Sequence, residues 1–302
     1  MPTPASLGLP TAQSYTSIGS EAVRDNITCL VWEKTNPAQQ GTLADSAARC
    51  EQLAKTSYAG FDDWRLPTRV EMASITDVTL GSKGFPAVFG VTSGYYMTGS
   101  DWYKTILTDT NTSAGDETNM VWGYGTNGFT SNAIVRTDKT LVARCVRGNG
   151  EGEAQGQYAV EPPDHYVLSG SGATATVKDN YTGLLWQQGT SPERMTWADA
   201  KTYCTAQTTA GLSGWRLPSL NELASLVNEA LVAPAINRSA FPGTNKSCDP
   251  DGWYWAAEAS KVGGTAWGLS FCDGYTGWNA GANSSAWNYF VDGWVRCVRS
   301  EP

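Results

Sequence analysis

The chain is 302 residues long, enough for two domains of ordinary size that each bury their own core. Its net charge of −8, with no lysine or arginine run, argues against nucleic acid or an anionic lipid surface as a partner. With 13 Trp, 13 Tyr and 32 Gly but only 17% charged residues, it reads as a loop-rich, aromatic-cored globule, which excludes a coiled coil or a disordered tail.

In chain order, the opening MPTPASLGLP lacks the charged-then-apolar layout of a signal peptide. It reads as a flexible leader of the kind that follows a removed signal or lipid anchor. DNITCLVWEK (25–34) predicts a strand, and it returns as DNYTGLLWQQ (179–188). FDDWRLPTRVEMASI (61–75) returns as LSGWRLPSLNELASL (212–226), and ARCVRG (143–148) as VRCVRS (295–300). The offsets are 154 at Trp32/Trp186, 151 at Trp64/Trp215 and 152 at Cys145/Cys297, so one register holds throughout. Solenoid repeats run only ~20–50 residues, so this period means two whole domains. They are expected at 12–148 and 164–300, with the Gly-, Glu- and Pro-rich 149–163 as a linker. No stretch approaches the ~20 apolar residues of a membrane helix.

Each unit is expected to run strand, helix, Trp-Arg-Leu-Pro turn, second helix, a Gly- and Trp-rich run of short strands, and a closing strand. Thr42 and Asp45 open the first helix, with Leu43, Ala47, Cys50 and Leu53 facing inward; Thr196 and Asp199 do so in the second unit, with Trp197, Ala200 and Cys204 inward. Trp64 and Trp215 anchor the turns. Capping boxes follow at Thr68-x-x-Glu71 and Ser219-x-x-Glu222, which gives both glutamates a structural job. Leu220, Leu223, Leu226, Val227 and Leu231 predict an amphipathic helix after the second box, and Val70, Ala73 and Ile75 a weaker one after the first. Arg65 and Arg216 admit two readings: a guanidinium gripping an anion, or one that locks the turn through carbonyls and the capping glutamate. Both copies keep the Arg with the same neighbours, and repeats share folds more readily than ligands, so the lock is the expectation. Trp122 and Trp267 are read as core. In the closing strands Cys297 and Arg299 should share one side and Arg296 the other.

Seven cysteines point to an oxidising compartment. Repeat symmetry pairs Cys50 with Cys145 and Cys204 with Cys297, and the second-unit extras Cys248 and Cys272 pair locally. Cys29 is left over where the second unit has Gly183, either as a tolerated thiol or as a bridge to another chain. Zinc is disfavoured by the absence of a C-x2-C pair and by a single histidine.

That histidine, His165, has no nucleophile in its neighbourhood and no counterpart in the first unit. Asp249, Asp251 and Asp273 could supply oxygens to calcium, although D-P-D-G is equally a turn sequence. The ligand candidates are Trp253, Tyr275, Trp278, Asn279, Asn283, Trp287, Asn288 and Tyr289. Flat rings stack on apolar faces while amides give adaptable hydrogen bonds, as on sugar- or protein-binding surfaces. Trp278 and Trp287 could equally be core.

The set Asp179-Asn-Tyr-Thr-Gly-Leu-Leu-Trp186, TWADAKTYC (196–204), WRLPSLNEL (215–223), FPG (241–243), WYWA (253–256) and RCVR (296–299) resembles the Lcl C-terminal domain family, named for a collagen-like bacterial adhesin. The resemblance covers nearly the whole chain twice, with Met97 at the Trp255 position and Cys29 at the glycine position of the first copy. That family is similar to the formylglycine-generating-enzyme branch of the C-type lectin fold. The resemblance therefore implies an α+β fold of two tandem domains, each a twisted irregular antiparallel sheet flanked by two helices, with long ligand-bearing loops. It also implies a bacterial protein that is secreted or displayed at the surface, outer membrane or periplasm included, often in adhesion or glycan binding. The adhesin's affinity for sulfated polysaccharides sits poorly with an acidic chain. Calcium-lectin signatures and the oxidising relative's close cysteine pair are both missing.

The expected function is thus a non-catalytic binding or adhesion protein for a glycan or surface protein, with calcium the one candidate cofactor. A retroelement-diversified variable ligand-binding protein is the alternative, and an oxidase-like enzyme the least favoured one.

Overall fold

The computed structural model describes residues 1–34, 40–90, 95–101, 120–125, 132–148, 162–248, 250–260, 265–278 and 291–300, with Trp278 placed by its backbone. Two compact units emerge, one spanning Gln13–Glu151 and the other comprising Gly152–Pro302 together with Thr3–Ala12. The segment expected to be a flexible leader is folded instead. Thr3 is fully buried and bridges Ala12, with its amide donating to Thr11 O at 2.9 Å. Most of the expected linker lies outside the described residues.

The first unit opens with an antiparallel meander, β1 (Tyr15–Ile18), β2 (Ala22–Asp25) and β3 (Val31–Glu33), where a single strand was expected. The recurring D-N-x-T explains the β2–β3 turn: Asp25 Oδ1 accepts from the Ile27 amide at 2.9 Å and its Oδ2 from the Thr28 hydroxyl at 2.8 Å. Helix α1 (Leu43–Lys55) starts at the Thr42/Asp45 capping box and buries Cys50. Helix α2 (Arg69–Ser74) follows the Thr68/Glu71 box. A second antiparallel sheet comprises β4 (Tyr95–Asp101), β5 (Met120–Gly125) and β6 (Asn132–Val135). The closing strand β7 (Val146–Arg147) returns to pair with β3.

The second unit repeats this order: β8 (Tyr166–Ser169), β9 (Thr176–Asp179), β10 (Leu184–Gln187), α3 (Trp197–Thr205), α4 (Leu220–Ser225), β11 (Trp253–Ala259), β12 (Ala266–Ser270), β13 (Thr276–Trp278) and β14 (Val298–Ser300). Its sheets run β14-β10-β9-β8 and β11-β12-β13. Among the described residues each unit therefore shows two antiparallel sheets and two α-helices, rather than one sheet flanked by helices.

The segment before the closing strand joins the two sheets. Trp255 N donates to Trp294 O at 3.0 Å and Trp294 N to Trp253 O at 2.8 Å, after which the chain passes into β14. Arg216 exchanges amide–carbonyl bonds of 2.9 and 3.0 Å with Val298 on the way. Because this segment is enclosed on both sides, Arg296, Cys297 and Val298 are all fully buried, with Cys297 turned to Cys204 and Arg296 to the rings of Phe241 and Tyr254, in keeping with the expected alternation.

Three disulfides form. Cys50–Cys145 and Cys204–Cys297 tie the first helix of each unit to its closing segment, with Cα separations of 5.6 and 5.5 Å, and Cys248–Cys272 is local. The first two close loops of 95 and 93 residues, and in the chain-entropy model each bridge stabilises by about 4–5 kcal/mol. Around the second-unit bridge, Leu185, Ala200, Trp215, Leu217, Trp253, Trp255, Ala266 and Val295 form a core. Cys50 and Cys145 pack with Val31, Trp64 and Ala143 in the first.

Neither α2 nor α4 is amphipathic, because every residue of both is buried. Leu226 and Val227 lie beyond the last turn of α4, and Leu231 is only half-buried. Buried polar residues in these helices are held by the turn that precedes them. Arg216 donates to both Glu222 oxygens at 2.7 Å and to Leu217 O at 3.2 Å, while the Ser219 amide donates to Glu222 Oε2 at 2.7 Å. Arg65 and Glu71 repeat the fork at 2.8 and 2.6 Å, with a further bond to Gly148 O at 2.9 Å. Trp64 Nε1 donates to Tyr58 O at 2.9 Å and Trp215 Nε1 to Leu212 O at 3.0 Å, so both indoles are buried and satisfied.

Candidate functional site

The second unit has an open cleft of about 510 Å³. It is lined by the run Glu193–Thr196 that leads into α3, by Asp199, Thr202 and Tyr203 of that helix, and by Asp292. A long-range pairing positions these parts. Met195 and Gly293 exchange backbone hydrogen bonds of 3.0 and 2.9 Å, and Trp255 Nε1 donates to Met195 O at 2.7 Å. Asp292 follows the 279–290 segment in the chain and is brought beside the start of α3 by that pairing.

The cleft's chemistry is acidic and hydroxylated. Glu193 and Asp199 are exposed and Asp292 is half-buried. Asp199 Oδ2 accepts from the Thr196 hydroxyl at 2.7 Å. Among the described residues the one cation of the lining, Arg194, is engaged by Asp251, which sets its charge against a carboxylate already present. Burial pushes the Tyr203 phenol above its ordinary value, so at neutral pH it remains a hydroxyl that can donate as well as accept. The half-buried thioether of Met195 supplies an apolar patch. Such a lining can take hydroxyl and ammonium donors and an apolar ring face, and it repels sulfate or phosphate.

Of the expected ligand residues, Trp253 is core. It is 5% exposed, and its ring meets Tyr275 edge-on at 5.8 Å. Gly277 permits this packing, since a β-carbon there would lie 3.0 Å from the Trp253 ring. Tyr275 is half-buried against the same core. Trp278 ends β13 opposite Trp267. Asn279, Asn283, Trp287, Asn288 and Tyr289 lie outside the described residues.

Among the calcium candidates, Asp249 is also outside the described residues. Asp251 is exposed and bound to Arg194, and Asp273 Oδ1 caps its own turn through the Tyr275 amide at 2.9 Å. Among the described residues, no three His, Cys, Asp or Glu side chains group as a metal set. His165 is buried, stacks on Tyr166 at 3.8 Å and lies with Nε2 3.4 Å from Asp179 Oδ1. Cys29 is half-buried at φ 60° with a free thiol, in the place where Gly183 adopts φ 69°.

The cleft itself escapes a sequence reading. Thr196 and Asp199 read only as a helix cap, and the approach of Asp292 depends on a pairing between Met195 and Gly293 that no local pattern announces. A family model for the Lcl C-terminal domain matches the chain twice, over residues 21–147 and 175–299. Among curated proteins nothing matches.

Proposed function

Because the chain belongs to the Lcl C-terminal domain family, as two copies in tandem, we propose that it is a secreted or surface-attached bacterial binding protein that holds a glycan or protein ligand without transforming it. The acidic, hydroxyl-rich cleft beside Asp292 carries this reading, since it joins carboxylates, a phenol and a thioether in an open surface suited to sugar hydroxyls or a basic side chain.

The intrachain disulfides suit an oxidising, extracellular location. Among the described residues no helix is long and apolar enough to cross a membrane. Two antiparallel sheets joined by a disulfide-bonded closing segment fit a C-type-lectin-like scaffold. A net charge of −8 together with three cleft carboxylates favours neutral or basic ligands over sulfated ones.

The test is a glycan and protein array probed with the intact chain, alongside Glu193→Gln, Asp292→Asn and Tyr203→Phe variants. Glu193 is exposed and Asp292 and Tyr203 are half-buried, and each replacement keeps the side chain's shape, so the fold should stay intact. Saturable binding to a neutral or basic ligand that weakens at least tenfold in the variants supports the proposal. A blank array, or variants that bind as the parent does, would remove it.

A further inference from the structure

The Arg of each terminal R-C-V-R is buried among aromatic rings, yet the two units satisfy it differently. Arg144 is fully buried, and its terminal nitrogens donate to three carbonyl oxygens, those of Glu33 (2.6 Å), Lys34 (3.4 Å) and Phe89 (3.2 Å). Arg296 is equally buried, but its partners are two hydroxyls, Thr190 Oγ1 at 3.1 Å and Thr244 Oγ1 at 2.9 Å, both bound by Nη2. Its Nε and Nη1 have no hydrogen-bond partner among the described residues. Nor does any carboxylate among them pair with it. The rings of Phe241 and Tyr254 lie 4.6 and 5.8 Å from the guanidinium carbon.

A guanidinium stays protonated in a protein, so this is a whole positive charge removed from water with two donor nitrogens unused. Cation–π contact with two rings returns part of the lost hydration but satisfies no N–H. Carbonyl oxygens engage both terminal nitrogens of Arg144 and leave only its Nε without a partner among the described residues, whereas two hydroxyls engage a single terminal nitrogen of Arg296. Burial also favours the uncharged form of Arg296, which marks the strain of leaving the charge uncompensated.

We infer that the Arg296 cage of the second unit binds a small monovalent anion, of which chloride is the reference case, through the unused guanidinium donors. A monovalent ion matches the single charge, whereas phosphate or sulfate would bring excess charge and bulk to a fully buried side chain. The ion is structural in effect: it fixes the closing segment that also carries Cys297 and leads from Asp292. The inference stands independently of the ligand proposed for the cleft.

The experiment is thermal unfolding of the intact chain in sodium chloride, sodium bromide and sodium gluconate at equal ionic strength, with Arg296→Met and Arg144→Met beside it. Halide should raise the Tm of the parent and of Arg144→Met by several degrees over gluconate, because a ligand that binds only the folded state stabilises it. Arg296→Met should lose that difference. Equal Tm in all three salts, or a halide effect that survives Arg296→Met, would overturn the inference. Should Arg296→Met fail to fold, crystals of the parent soaked in bromide decide the matter. An anomalous peak beside the Arg296 guanidinium supports the site, and its absence, with only water there, refutes it.

Discussion

Replacing Glu222 with alanine isolates the interaction that fixes the Trp-Arg-Leu-Pro turn. Its carboxylate is fully buried and accepts three bonds of 2.7 Å, two from Arg216 and one from the Ser219 amide. Truncating one member of a buried ion pair costs about 3–5 kcal/mol, because the other charge is left unpaired. Arg216 retains 20% side-chain exposure, which lets water reach part of it and places the expected loss near the lower end, at about 3–4 kcal/mol. Arg65, partner of Glu71, is 36% exposed, so Glu71→Ala should lose less, about 2–3 kcal/mol. Replacing both partners with apolar residues, as Arg216→Met/Glu222→Leu, removes the unpaired charge and should recover much of the loss. Urea unfolding followed by tryptophan fluorescence gives the free energies by linear extrapolation, and hydrogen exchange on α2 and α4 peptides assigns each loss to its unit. A Glu222→Ala loss below about 1 kcal/mol, or a larger loss for Glu71→Ala, would refute the argument that burial sets the strength of the lock.

Three further outcomes follow from the same physics. Cys204→Ala/Cys297→Ala should lower stability by about 4–5 kcal/mol in urea, and a loss under 1 kcal/mol would show that the 93-residue loop is not what this bridge restrains. Cys29→Gly should raise stability by about 0.5–1 kcal/mol, since the residue sits at φ 60° where the twin position has glycine; a decrease would mean that the thiol side chain contributes more than the left-handed backbone costs. Burial pushes the Asp25 carboxyl above the usual carboxylate range, partly opposed by hydrogen bonds from Ile27 and Thr28. The folded chain then holds that proton more tightly than the unfolded one. Asp25's contribution therefore falls as pH rises from about 4 through its folded value, and Asp25→Asn should flatten that part of the profile. Identical profiles from urea titrations of the two proteins would contradict this.

What the sequence made legible was local or repeated. The capping boxes at Thr42, Thr68 and Ser219 announce helix starts through residues three apart, and repeat symmetry alone nominates Cys50–Cys145 and Cys204–Cys297. The rest depends on distant contacts. YTSI at β1 lacks a clear alternation, so its meander with β2 and β3 was invisible. The buried faces of α2 and α4 carry Arg69, Glu71, Asn221 and Glu222, polar residues that normally mark a solvent side; here fixed partners satisfy those that cap the turns. Trp253 read as a ligand ring because nothing local shows that Gly277 leaves room for it beneath Tyr275. The leader's Thr, Pro and Ser suggested flexibility, but the bridge from Thr3 to Ala12 folds it back on itself.

The most direct measurement of the functional account is a binding isotherm of the intact chain with an array-selected ligand, followed by mass analysis of the ligand recovered after prolonged incubation. The account predicts saturable binding, weakened by Glu193→Gln and Asp292→Asn, and a ligand recovered at its original mass. Recovery of a shortened, oxidised or otherwise altered ligand would contradict it.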